Sequence, residues 1–254
     1  MRPLAILAAA VFLTSCSDPV GPPETFDERD LMHVLILPYL DVADSVDPDV
    51  IVVSNVSDRS FSAVMTDYDT VGVQAVFYQD RRAVKVDGVT AGSTPLDSVR
   101  WSGSLRYEAE QLIPRTERTL KWTFKGYQGV DDTATMTLVP RIVPRASRQT
   151  WPQSGGLVLD YDGAMPGEVV VTVSGYLLES VGEPLLKLVV LQKERQSDDG
   201  TVSVSEEVLR KARELGYVNV VVSIRHARYR ERPLENGATL GIGSWSEGRC
   251  IIER

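Results

Sequence analysis

Two stretches of strict alternation limit what this chain can become. In the run from Leu120 to Lys125, Leu120, Trp122 and Phe124 alternate with Lys121, Thr123 and Lys125, the period of two that a strand needs when one face is buried and the other wet. From Thr133 to Leu138, Ala134, Met136 and Leu138 share one side and threonines hold the other. Gly126 to Asp132 supplies turn residues between them, so the pair reads as a β-hairpin. Shorter valine-rich runs precede it at His33 to Leu37, Ile51 to Ser54, Ser62 to Met65, Val71 to Gln79 and Ala83 to Val86. Asp, Gly and Pro interrupt them at the spacing of a β-sandwich.

The same pattern returns at Gly156 to Leu159, Glu168 to Tyr176, Pro184 to Gln192, Val218 to Ala227, Ala238 to Ser244 and Arg249 to Ile252. One helix interrupts these strands over 205–215. Ser205 stands where an N-cap is wanted, Glu206 and Glu207 follow in the first turn, and Gly216 lies just past the end, each favourable to a helix of that span. Val208, Leu209, Ala212 and Leu215 then form one apolar stripe, and so short a helix must pack against the second sandwich to persist.

With 254 residues, 43% hydrophobic and 24% charged, the chain is globular and sized for one large domain or two modest ones. Pro140, Pro144 and Pro152 flank a segment with no clean period, which marks a boundary. The expected organisation is a leader over 1–15, a tether over 16–32, a β-sandwich over 33–140, a linker over 141–155 and a second β-sandwich over 156–254. The expected class is therefore mainly β: two sandwich domains, the second with one short α-helix.

A net charge of −8 opposes unassisted binding to nucleic acid, which depends on neutralising phosphate. Two cysteines and two histidines leave little for a zinc site or a histidine relay, so neither metal nor cofactor is expected. Acidic pairs that could approach calcium are Asp47 and Asp49, Asp67 and Asp69, Asp131 and Asp132, Asp160 and Asp162, and Asp198 and Asp199. None carries the regular acid spacing of a calcium loop, and turn roles suffice for them.

The N-terminus carries a separate signal. Arg2 precedes an apolar run from Leu4 to Leu13, too short to span about 30 Å of hydrocarbon and suited to a signal-peptide core. It ends in Leu13-Thr14-Ser15-Cys16, which resembles the lipobox of bacterial lipoproteins. That resemblance implies removal of 1–15, acylation of Cys16 and a membrane-anchored mature chain. Ser17 in place of Asp resembles the pattern that sorts such proteins to the outer membrane. The proline-rich, acidic stretch from Ser17 to Asp30 then reads as an extended tether.

In the second unit, Gly156-Leu157-Val158-Leu159, Asp199-Gly200, Ser205 to Leu215 and Val218 to Arg225 resemble Ig-like or fibronectin-III-like modules of bacterial envelope lipoproteins. The resemblance implies a sandwich and no particular activity.

Gly243 to Gly248 superficially suggests a serine-hydrolase elbow, yet the Gly-X-Ser-X-Gly frame around Ser246 meets Ser244 where glycine is required. His33 and His226 both precede that serine, against the order of the hydrolase fold, and a bulged hairpin is the expectation for Gly243 to Gly248. No catalytic residue is assigned and no enzyme is expected. His226 shares parity with Val218, Val220, Val222 and Ile224, so a buried, hydrogen-bonded histidine is expected. Cys250 shares parity with Ile252 and reads as a buried thiol.

Two surfaces remain as binding candidates. Arg225, Arg228, Arg230 and Arg232 could form a basic patch, with Glu231 and Glu235 as neutralising neighbours. Trp101, Trp151 and Tyr161, beside Tyr107 and Tyr127, could form a sugar-stacking platform if exposed, or core if not. The expected function is a non-enzymatic, protein-binding or structural accessory module on an envelope lipoprotein, with glycan binding the alternative and an envelope hydrolase ranked third.

Overall fold

In a computed structural model, residues 48–57, 68–80, 82–101, 104–114, 116–177, 187–217 and 219–253 are described. The expected leader, tether and strands at His33 to Leu37 and Ser62 to Met65 lie outside the described residues. The fold is mainly β, with one helix among the described residues.

A long sheet forms the base. Its strands are β1 (Val50–Ser57), β2 (Tyr68–Gln79), β6 (Asp97–Trp101), β7 (Ser104–Pro114), β13 (Glu168–Leu177), β14 (Lys187–Ser197), β16 (Asn219–Pro233) and β17 (Thr239–Glu253), in the order β14-β13-β16-β17-β1-β2-β7-β6. Two short strands, β3 (Arg82–Ala83) and β11 (Arg148–Thr150), add to β2 and β17. β1 runs parallel to β17, with Val50 opposite Leu240 and Val56 opposite Ser246. The sheet therefore passes from strands before residue 140 to strands after 156 without interruption.

Two smaller layers cover one face of this base. β5 (Thr94–Pro95), β4 (Gly88–Ala91), β8 (Thr119–Tyr127) and β9 (Val130–Thr137) make a four-stranded sheet. β8 and β9 are the hairpin read from the alternation: Leu120, Trp122, Phe124, Ala134 and Met136 are buried. β10 (Val143–Pro144), β12 (Leu157–Asp162) and β15 (Thr201–Val204) make a three-stranded sheet beside α1 (Glu206–Glu214). Strands β10 and β11 occupy the segment expected to be linker.

Each layer closes its own core. Phe77, Tyr107, Phe124 and Tyr127 pack edge-on or tilted in the first, with ring centroids 5.2 to 6.5 Å apart, the geometry that aromatic quadrupoles favour. Val169, Val171 and Val173 of β13 meet Leu159, Tyr161, Leu209 and Ala212 in the second. The first core also takes Leu234, Leu240 and Ile242, while Val220, Val222, Ile224, Cys250 and Ile252 from the other end of the same hairpin belong to the second. The burial pattern along β16 and β17 follows from strand parity, so one face of one ribbon serves both cores.

The helix begins where its cap residues indicate, with Ser205 accepting a hydrogen bond from the Val208 N–H. It ends in paired bonds, Gly216 N–H to the Arg213 carbonyl and Tyr217 N–H to the Ala212 carbonyl. That is the Schellman arrangement, which requires the left-handed φ of +79° that Gly216 adopts. Leu209 and Ala212 are buried as the stripe requires, but Leu215 is 49% exposed, because it is the C-cap residue and the chain turns away there.

The Gly243 to Gly248 segment is also corrected. It is continuous strand within β17 and not a hairpin turn, the residues on both sides staying in register with β16. Gly248 allows a close crossing: a Cβ there would lie 2.5 Å from Ile142 Cγ2 and 2.8 Å from Pro144 Cδ. Gly72 in β2 has nothing within 4 Å of the same position. Gly248→Ala is expected to destabilise the protein by about 1–3 kcal/mol through this overlap, with Gly72→Ala near neutral. Urea unfolding of the two variants checks the difference.

Candidate functional site

The polar side chains that the described residues bury are concentrated between the two cores. Ser54 on β1, Ser244 and Ser246 on β17, His226 on β16 and Asp198 just after β14 are all buried. Strand register puts Ser54 opposite Ser244, and His226 opposite Ser246, so they form a seam on the inner face. Across this seam runs the connector from β9 to β10. Its Val139 enters the first core and its Ile142 the second.

The seam holds that connector by its backbone. Val139 N–H donates to Ser244 Oγ at 3.1 Å, and Ile142 N–H donates to Ser246 Oγ at 2.9 Å. The Pro140 carbonyl lies 2.8 Å from His226 Nε2. Each bond satisfies a backbone group that would otherwise be buried unpaired, at a cost of about 1–3 kcal/mol.

Behind His226 the row continues. Its Nδ1 lies 2.7 Å from Asp198 Oδ2, both side chains being 0% exposed, and Tyr161 donates its hydroxyl to Asp198 Oδ1 at 2.7 Å. A carbonyl can only accept, so Nε2 carries a proton. Three contacts then need three protons: one on Tyr161, one on Nε2 and one shared between Asp198 and Nδ1. Burial, then the hydrogen bond to Asp198 and its charge, raises the Tyr161 hydroxyl far above the ordinary tyrosine range, which keeps it a donor. Tyrosine, carboxylate and imidazole in a row resemble a relay, but sealed from solvent they position backbone.

The arginines divide by strand parity. Arg225 points to the opposite face from His226, where it pairs with Glu247 at 3.5 Å and lies 5.9 Å from the Trp245 ring centre. Burial pushes the Glu247 carboxyl up, yet hydrogen bonds and charge from Arg249, with the charge of Arg225 and a Ser223 hydrogen bond, outweigh it and leave it below the usual range. Arg228, Arg230 and Arg232 share the inner face with His226. Arg230 donates to the Thr135 carbonyl, and Arg232 donates to the Thr133 carbonyl and to Asp132. These two guanidinium groups close the outer edge of β9 as a neighbouring strand would. The expected continuous basic patch of Arg225, Arg228, Arg230 and Arg232 is therefore split across two faces, and Arg225, Arg230 and Arg232 are each engaged.

The aromatic platform is corrected too. Tyr161 is 2% exposed and Trp151 is 7% exposed, so neither offers a ring face to a sugar. Tyr161 shares the inward parity of Leu159 on β12, and Trp151 follows β11 into the second core beneath Arg213, 5.5 Å from its ring centre. The Trp101 side chain and Cys16 lie outside the described residues. The acidic pairs do turn and edge work: Asp132 meets Arg232, Asp162 meets Arg145, Asp131 accepts from Gly126 N–H and Asp199 accepts from Thr201. Asp199 is held below the usual carboxylate range by those Thr201 hydrogen bonds. Among the described residues, no three His, Cys, Asp or Glu side chains are grouped to hold a metal.

Burial pushes the Cys250 thiol up, as expected for a core cysteine. A small cleft of about 20 Å³, lined by Val56, Val71, Ile113, Leu138 and Val139 among others, has room for about one water. The seam itself was only partly legible: the parity of His226 pointed inward, but nothing in sequence tied it to Asp198 or to the connector. No family model matches the chain, and no curated protein matches it.

Asn at position 198 could still accept from Tyr161 and donate to Nδ1 of a neutral His226. Asp198→Ala, by contrast, leaves His226 and Tyr161 buried without their partner. Asp198→Ala is expected to cost about 3–5 kcal/mol and Asp198→Asn less than about half of that, measured by chemical unfolding.

Proposed function

We propose that this chain is a lipid-anchored protein of the bacterial cell envelope, held in the outer membrane through Cys16, whose β-rich body acts as a non-enzymatic protein-binding or accessory module. The observation that carries the anchor is the tetrad from Leu13 to Cys16 directly after the apolar run from Leu4. Several acyl chains on one residue make release from a bilayer negligible. Among the described residues no helix is long and apolar enough to cross a membrane.

A binding role is supported by the way the body uses its polar groups. The Tyr161–Asp198–His226 row is committed to holding the connector, and Arg230 and Arg232 to closing β9. An edge remains for a partner: among the described residues β14 pairs with β13 alone, and Val190 on it is 55% exposed. An extended segment of another protein can add to such an edge through backbone hydrogen bonds. Glycan binding is the weaker reading, because Trp151 and Tyr161 are buried.

The test is acyl labelling and membrane fractionation of a C-terminally tagged chain, followed by crosslinked affinity purification. Cys16→Ala is expected to lose label and leave the membrane. Val190→Lys is expected to lower recovery of a stoichiometric protein partner by about tenfold, about 1.4 kcal/mol of binding. A labelled, membrane-retained Cys16→Ala chain contradicts the anchor, and partner recovery unchanged by Val190→Lys contradicts the edge.

A further inference from the structure

The long sheet has a second face, and the two cores account for only the first. On the outer side, Ile51 and Val53 of β1 with Val76 and Tyr78 of β2 are 1%, 4%, 0% and 0% exposed. Ala83, Ala227, Tyr229 and Trp245 pack against this third cluster. Burial so complete requires apolar atoms above it. The two smaller sheets and α1 belong to the cores on the opposite face. Tyr78, Ala83, Arg225 and Trp245 each engage a further partner besides those already described.

The point of entry of the chain says what lies there. Pro48 sits against Gly241, its Cγ 3.1 Å from where a Cβ would stand, and Tyr229 packs on the same spot. Gly241 is opposite Ile51 in register. Pro48, where the described chain begins, is therefore on the outer face, beside the cluster. Upstream of a polar stretch at 41–47, the sequence runs Leu31-Met32-His33-Val34-Leu35-Ile36-Leu37-Pro38-Tyr39-Leu40, without a single charged side chain at neutral histidine. Extended, it measures about 30 Å, and the sheet from β2 to β16 is only about 15 Å across. Segment 58–67, also outside the described residues, departs from Ser57, about 20 Å along β1 from Ile51, and carries Asp58, Arg59 and Asp67.

We propose that residues 31–40 dock on the outer face of the long sheet and cover Ile51, Val53, Val76 and Tyr78. The β-rich body is then a three-layer arrangement along its first half: small sheet, long sheet, docked N-terminal segment. One consequence rests on Cys16 being the anchor, as the docking itself does not. The free tether shrinks to residues 17–30, at most about 50 Å of extended chain, and leaves from the outer face.

The test is photo-crosslinking within the full chain. A benzophenone analogue of phenylalanine replaces Tyr229 in one preparation and Trp245 in another, each also made with Cys16→Ala so that the anchor does not enter the result. Irradiation is expected to give intrachain crosslinks that peptide mass spectrometry maps to 31–40, with loss of those crosslinks in Leu35→Asp. Crosslinks to 58–67, crosslinks to a second copy that double the mass, or no crosslinked peptide at all would each overturn the docking. A soluble Cys16→Ala chain that crosslinks to 31–40 supports the docking whatever becomes of the anchor.

Discussion

The pairing of β16 with β17 sets the dimensions of the whole molecule. Residues Asn219 to Pro233 oppose Glu253 to Thr239 without a break in register, giving a ribbon of about 50 Å. A sandwich core is satisfied by strands of about 17–20 Å. A ribbon this long must therefore serve two cores or leave half of its apolar face in water. It serves two: Val220, Val222 and Ile224 face one and Leu240 and Ile242 the other. β1 docks parallel to one end of β17 and β13 antiparallel to β16, so the base sheet grows outward from the ribbon in both directions.

Between two cores on one face there must be a place where the covering chain crosses from one to the other, and its backbone polar groups must be met there. Ser244, Ser246 and His226 meet them. The same device recurs at the edges of the covering layers. The carboxamide of Gln196 both donates to the Ser203 carbonyl and accepts from its N–H, so one side chain stands in for a strand along β15. Arg230 and Arg232 do this along β9. Side chains from the base sheet thus finish the hydrogen bonding of layers too small to close on themselves, which also blunts edges that could recruit other chains.

Local period was the readable part of this sequence. The alternation at 120–125 and 133–138 marks β8 and β9 because each is wet on one side, and Ser205 with Gly216 brackets the helix. β7 went unread although Leu105, Tyr107, Ala109 and Ile113 share one parity, because Gln111 interrupts the apolar set. Gly243 and Gly248 looked like turn residues, and only the presence of Ile142 and Pro144 above the strand explains Gly248. The arginine set could have been divided in advance, since residue 225 differs in parity from 228, 230 and 232. Pairing partners were not readable: β1 and β17 are nearly 200 residues apart, and Asp198 sits at a strand end with no pattern pointing to His226. A fold of this class fixes no ligand, so the functional reading draws on the N-terminal tetrad and on which surfaces the body leaves unspent.

If one ribbon builds both cores and one polar seam binds the connector between them, the two halves cannot melt separately. Scanning calorimetry of the Cys16→Ala chain measures this most directly. The expected result is one transition whose calorimetric and van't Hoff enthalpies agree. Two resolved transitions, or a calorimetric enthalpy near twice the van't Hoff value, would mean that the halves on either side of the seam fold as independent domains and would contradict the account.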